Sequence, residues 1–279
     1  MTISTKAISE LRARTGAGMM DCKKALEEAA GDMTLAAELL RKRGIAKAEK
    51  RSGRDASQGL VAIMTSGTQG AMVELDCETD FVARTDGFQM LIDRLVSHAL
   101  EESPPGLSVE TFLDQAIDGK PAAEWIKEAS GKTGEAMALK RVARFGSPTA
   151  VIGYYRHHNH QVGVLVEIEG AVGDAATTLA NEIALHIASA DPIAVTAADI
   201  PVDLLERERR IAEEQVANEG KPEAIRARIV EGKVRKFAAE RALVDQPFVK
   251  DESLTIGRML GTVPGARVVR FARFKVGEV

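Results

Sequence analysis

Along the first fifty residues, apolar positions recur at three- and four-residue steps. Ile8, Leu11, Met19, Cys22, Ala25, Leu26, Leu35, Leu39 and Leu40 follow this rhythm, which predicts amphipathic helices. Two breaks, "RTGAG" at Arg14 to Gly18 and "GDM" at Gly31 to Met33, divide the run into three helices. Gly31 suits a left-handed C-terminal cap, and Asp32 can cap the helix that follows. A basic stretch, "RKRGIAKAEKRSGRDAS", then runs from Arg41 to Ser57 without an apolar stripe. It reads as a helical or loose linker.

At Gly59 the period becomes that of strands. "LVAIMTS" and "AMVELDC" are β-rich runs joined by "GTQG", a hairpin signal. Helical patterns return at Gly87 to Leu100, Val109 to Ala116 and Ala122 to Glu128, with Pro104-Pro105 between the first two. A second β group opens near Ala138 with "ALKRVARF", "AVIGYYR" and "VGVLVEIEG", the last two joined by "HHNHQ". A helix from Asp174 to Ser189 follows and stops before Asp191-Pro192. The two halves repeat one plan, a hairpin and then a helix on one face.

Between Pro201 and Leu243 the chain is densely charged, with a thin apolar seam of Leu204, Ile211, Ile225, Ile229, Val234 and Phe237. A seam that narrow predicts an antiparallel helical hairpin of coiled-coil type, protruding from the body. "NEGKP" at Asn218 to Pro222 supplies its turn glycine and a proline for the first helical position. A short helix around Ser253 to Leu260 and a strand, "ARVVRFARFKV", close the chain. The expected class is α+β with antiparallel sheets. Its expected segments are 1–57 (three-helix domain plus basic linker), 58–136 and 137–200 (two core subdomains), 201–243 (hairpin) and 244–279 (return to the core).

Composition narrows the function more than the fold. The 279 residues, 28% charged and 45% hydrophobic, are those of an ordinary globular protein in two or three units. A net charge of -4 argues against a dedicated nucleic-acid binder, so no direct nucleic-acid partner is expected. No apolar run reaches membrane-span length, and "MTISTKAISELRARTG" has no signal-peptide core. Cys22 and Cys77 lack metal-type spacing and are too few for a disulfide framework. The expectation is a cytoplasmic protein with no membrane partner.

Motifs for enzyme chemistry fail one by one. "SGKTGE" at Ser130 to Glu135 ends like a phosphate-binding loop, but Ile126 stands where the first glycine is needed and no strand feeds it. "VLVEIEGAVGDAATTLANEIA" lacks the glycine order of a dinucleotide fingerprint. His157, His158 and His160 cluster in a turn with no further ligand at fixed geometry, so a solvated hairpin tip is the better reading. Glu182 and His186 sit one helical turn apart and read as a half-buried hydrogen-bonded pair. No catalytic residue, metal or cofactor is expected.

Four segments together resemble the bacterial translation elongation factor Ts family. They are "LRARTGAGMMDCKKALEEAAGD" (Leu11 to Asp32), "CETDFVARTDGF" (Cys77 to Phe88), "GKPEAIRARIVEGKVRKF" (Gly220 to Phe237) and "QPFVKD" (Gln246 to Asp251). The likeness runs in order over nearly the whole chain. It implies a guanine-nucleotide exchange factor for elongation factor Tu, with an N-terminal domain similar to a ubiquitin-associated domain. By motif match, Thr79, Asp80, Phe81 and Val82 reach the GTPase domain of that partner and disturb its magnesium and phosphate site. Met19 and Met20, with Arg12 nearby, and His157 are the other implied contacts.

Residue type alone would bury Phe81, and only the matched motif makes its display the expectation. Thr79 is expected to cap the short helix behind it, and one of Met19 and Met20 to pack inward. The chain departs from the family pattern at Arg84-Thr85, at His158-Asn159-His160, and at its end on Val279, where longer relatives add further contacts. Self-association through the core is left open. The alternatives are an RNA- or ribosome-binding factor using Arg41 to Arg54 and, more weakly, a nucleotide-dependent enzyme.

Overall fold

The computed structural model describes residues 3–51, 53–219 and 222–278; Ser52 of the basic stretch and Gly220 of the expected hairpin turn lie outside them. Helices α1 (Thr5–Thr15), α2 (Met19–Glu28) and α3 (Met33–Glu49) close around Leu11, Cys22, Ala25, Leu26 and Ala36. The Asp32 carboxylate caps α3, accepting from the N–H groups of Thr34 (2.8 Å) and Leu35 (3.0 Å), which uses up donors that a helix start leaves free.

Most of the supposed linker is helix, because α3 continues to Glu49. Its basic side chains have acidic partners on both sides. Arg43 pairs with Glu28 and Lys47 with Asp21 (3.2 Å) on α2, while Arg41 lies 3.5 and 3.6 Å from Glu124 and Glu128. The charge run is a bridge between α2 and the core.

The first sheet has the antiparallel order β1-β2-β5, from Gln58–Ser66, Gln69–Cys77 and Met137–Gly146. This corrects the grouping of "ALKRVARF" with the second β group. The strand pairs with β2, Val73 opposite Val142, and sends Leu139 into the first core. Order along the chain carries no information about which edge a strand joins.

Between β2 and β5 come α4 (Asp80–Ala83), α5 (Asp86–Glu101), α6 (Val109–Asp114), the short hairpin β3 (Ala116–Ile117) and β4 (Lys120–Pro121), and α7 (Ala122–Thr133). They bury Phe88, Leu95, Phe112 and Ile126 against Val73 and Leu75. Helix α7 outruns its predicted end at Glu128. "SGKT" is therefore its last turn, closed by Gly134 at a left-handed φ of 82°, and it is not a phosphate loop.

Where α3 meets α7, Gly44 faces Gly131. A Cβ on Gly131 would lie 2.7 Å from the Gly44 backbone, whereas one on Gly44 would make only an ordinary 3.5 Å contact. Gly44→Ala should therefore raise stability by about 0.5–1 kcal/mol through helix propensity. Gly131→Ala should lower it, since overpacking costs roughly 1–3 kcal/mol. Thermal melts of the two variants check this, and equal shifts would mean the two helices do not touch in solution.

The second sheet has the order β10-β7-β6, from β6 (Val151–Arg156), β7 (Val162–Glu169) and β10 (Arg267–Lys275). Helix α8 (Asp174–Ala190) covers one face, burying Leu179, Ile183 and Ile187 on Val164, Val166 and Ile168. The other face packs on the first sheet through Val61, Met72, Ile152, Leu165 and Phe274.

Helices α9 (Val202–Asn218) and α10 (Glu223–Arg241) form an antiparallel hairpin flanked by Arg209–Glu231 and Lys233–Glu219 ion pairs. Its buried seam is Ala212, Val216, Val230 and Val234, while Ile211 and Ile225 of the predicted seam are exposed. One residue is about 100° around a helix, and small Ala212 takes the inner position beside Ile211. The chain returns through β8 (Pro247–Phe248), β9 (Asp251–Thr255) and α11 (Ile256–Gly261). The last helix thus starts after Ser253, because the preceding residues pair with β8 and Thr255 is the cap. The class is α+β with antiparallel sheets. No described helix is long and apolar enough to cross a membrane.

Candidate functional site

Strand β2 delivers the chain to a tight double turn. The Thr79 hydroxyl caps α4, accepting from the Val82 N–H at 3.4 Å, and the Thr85 hydroxyl caps α5, accepting from the Phe88 N–H at 3.3 Å. Two caps six residues apart hold α4 to a single turn. Ala83 and half-buried Val82 face the core, so Phe81 points away and is 79% exposed. Asp80 pairs with Arg84 at 2.9 Å on the surface.

Two acidic side chains lace this turn to the residues before β5. Thr79 donates its N–H to Glu135 Oε2 (3.0 Å) and its hydroxyl to Oε1 (2.7 Å). In return, Ala136 donates its N–H to Glu78 Oε1 (2.7 Å), which also accepts from Arg54 (3.3 Å). The Ala136 bond, helped by Arg54, holds the Glu78 carboxyl below its ordinary range. Cys77 donates its thiol to the Thr79 carbonyl at 3.1 Å. Burial pushes that thiol up to about 12, so it packs as a small hydrophobe and does not react.

Sequence reasoning did not single out Glu135. It lies in the segment that fails as a phosphate loop, and nothing local marks it as a partner of Thr79.

The other predicted contacts lie elsewhere. Met19 and Met20 open α2 and are 43% and 64% exposed. Neither packs inward, contrary to expectation; the residue of that turn that enters the core is Cys22. Arg12 is exposed in the last turn of α1.

His157 is half-buried beyond β6, on the second sheet, with Nδ1 2.8 Å from the Tyr155 hydroxyl. It edges an open hollow of about 400 Å³ shared with Val162, Leu185, Ala188 and Val249. The neighbouring His160 has a left-handed φ of 59°, and its carbonyl accepts from the Val61 N–H (2.7 Å), which ties the hairpin tip to β1.

The predicted Glu182–His186 pair is absent. Glu182 pairs with Lys250 at 2.7 Å, whereas His186 is buried with Nε2 3.0 Å from Gln246 Oε1. The Val249 N–H donates to His186 Nδ1 at 3.3 Å, so Nε2 carries the proton. Burial pushes the His186 pKa down, and the neutral ring is a core hydrogen-bonding group. Side chains at i and i+4 share a helix face, but here each finds a better partner on the returning chain. Among the described residues, no three His, Cys, Asp or Glu side chains gather as a metal site.

Fold and site define an α+β protein that presents Phe81, Met19, Met20 and Arg12 at its surface. A family model described as Elongation factor TS matches residues 78–278. The chain is 43% identical over 280 residues to Elongation factor Ts of Alkalilimnicola ehrlichii, covering 100% of this chain and 93% of that protein. It is 44% identical over 281 residues to Elongation factor Ts of Thioalkalivibrio sulfidiphilus (100% and 93%), and 41% over 287 residues to that of Aquifex aeolicus (99% and 99%). The chain belongs to the elongation factor Ts family and is a translation elongation factor.

Proposed function

We propose that the protein is a guanine-nucleotide exchange factor that binds elongation factor Tu carrying GDP and promotes GDP release without bond-making chemistry of its own. The observation that carries this reading is Phe81, a large apolar ring 79% exposed on a doubly capped turn. A GTPase holds its nucleotide through phosphate-loop amides and magnesium. A factor that releases it must bind the nucleotide-free state more tightly, and by reciprocity the entering nucleotide must weaken the factor.

In this reading Phe81 is the wedge, Val82 packs behind it, and Asp80 brings a carboxylate toward the magnesium site. Met19 and Met20, with Arg12, offer adaptable contacts to the same partner, and His157 offers one from the second sheet. The same reading takes α1–α3 as ubiquitin-associated-like, the α9–α10 hairpin as a coiled coil, and the cytoplasm as the place of work. An RNA-binding role for the basic stretch is disfavoured by its geometry, since Arg41, Arg43 and Lys47 are engaged in ion pairs.

The deciding experiment follows release of a fluorescent GDP analogue from elongation factor Tu with the protein present in trace amounts. Acceleration is expected, and its absence overturns the reading. His157→Ala should raise the concentration needed for half-maximal exchange, by less than Phe81→Ala slows release. Unchanged affinity would remove His157 from the interface.

A further inference from the structure

We propose that Glu135 is a positioning residue for exchange, holding the turn that aims Phe81; this rests on the exchange reading above. A ring 79% exposed has few contacts of its own to set its direction. It must be aimed through the backbone of α4, a single turn whose start is Thr79. Both donors of Thr79 go to the two oxygens of one carboxylate, Glu135, at 3.0 and 2.7 Å. A threonine hydroxyl has one hydrogen. Giving it to Glu135 turns the lone pairs toward the Val82 N–H, which is the capping bond of the turn.

Glu135 is itself held. The Ser130 hydroxyl donates to its carbonyl at 2.5 Å, and the next residue, Ala136, donates its N–H to Glu78 at 2.7 Å. The two carboxylates therefore form a reciprocal latch, each gripping the backbone beside the other. Bonds to a charged acceptor are the stronger kind, and no other side chain among the described residues fixes the Thr79 N–H.

A double-mutant cycle reads this role directly. Glu135→Ala should lower the GDP-release rate at saturating factor roughly threefold or more, and by no more than Phe81→Ala does. In a Phe81→Ala background it should cost less than about twofold, because the residue acts only through the ring. Glu135→Gln, isosteric and able to keep one acceptor, should recover part of the rate. It keeps the comparison readable if the alanine variant folds poorly. Thr79→Val, which removes the hydroxyl alone, should lower the rate in the same direction.

Equal losses in both backgrounds would overturn the proposal, since a structural or independent contact behaves that way; so would no loss at all. Amide hydrogen exchange of Val82 and Ala83 in the free protein separates the two readings. Faster exchange there in Glu135→Gln is expected even if the wild-type protein fails to release GDP, and that failure would strike the exchange reading first. Unchanged protection would sink the latch by itself.

Discussion

Phe81→Ala is expected to slow GDP release from elongation factor Tu at saturating factor by roughly 5- to 150-fold while leaving the melting temperature of the free protein unchanged. The two halves of this result come from one observation. Because the ring is 79% exposed, truncating it removes little packing from the folded state. Seated in a partner, the same ring would bury about 150–250 Å², worth roughly 4–6 kcal/mol gross. Association and distortion of the partner consume much of that. A residual coupling of about 1–3 kcal/mol, the usual size between linked sites, converts to the stated range. Stopped-flow release of labelled nucleotide measures the rate, and the fluorescence of Trp125 follows unfolding. Normal exchange would refute the wedge. A large drop in melting temperature would instead show that the ring packs at home.

Features that depend on neighbours in sequence were legible: the three N-terminal helices, the Asp32 cap, the "GTQG" hairpin and the hydroxyl cap at Thr79. The direction of Phe81 was legible only through its motif, since spacing alone does not distinguish an outward ring from a buried one. Features set by distant partners were not legible. The basic stretch reads as helical or loose, and its ion pairs with acidic groups on α2 and α7 have no local signal; nor does the pairing of β5 with β2. Glu135 reaches Thr79 across 56 positions of chain, and no local pattern encodes that bond.

The stability difference between Asp76→Asn and the parent protein is expected to grow by about 4 kcal/mol in favour of the variant between pH 4 and pH 8. Alternate residues of β2 face opposite sides, and Val73, Leu75 and Cys77 join the core under α5. Glu74 and Asp76 project the other way and are buried to 0% and 1% exposure. Glu74 is paired with Arg141. Neither carboxylate oxygen of Asp76 has a hydrogen-bond partner among the described residues. Burial first, then the nearby charge of Glu74, raises the Asp76 pKa from 3.8 to about 7, against the weaker pull of Lys140 and Arg141.

The sign follows from proton counting. Between pH 3.8 and about 7 the folded state keeps a proton that the unfolded chain has released, so stability falls as pH rises, by about 1.4 kcal/mol per unit. The loss is complete above the folded value. Asparagine carries no charge and has no such loss. Removing the Asp76 charge also relieves Glu74, whose own pKa is raised chiefly by burial, and this adds to the gain at high pH. Urea unfolding of both proteins at several pH values tests the difference in slope, which does not depend on how well the new amide packs. Parallel stability curves would mean that Asp76 is already ionised and solvated in the folded protein, and that the space beneath β2 is not dry.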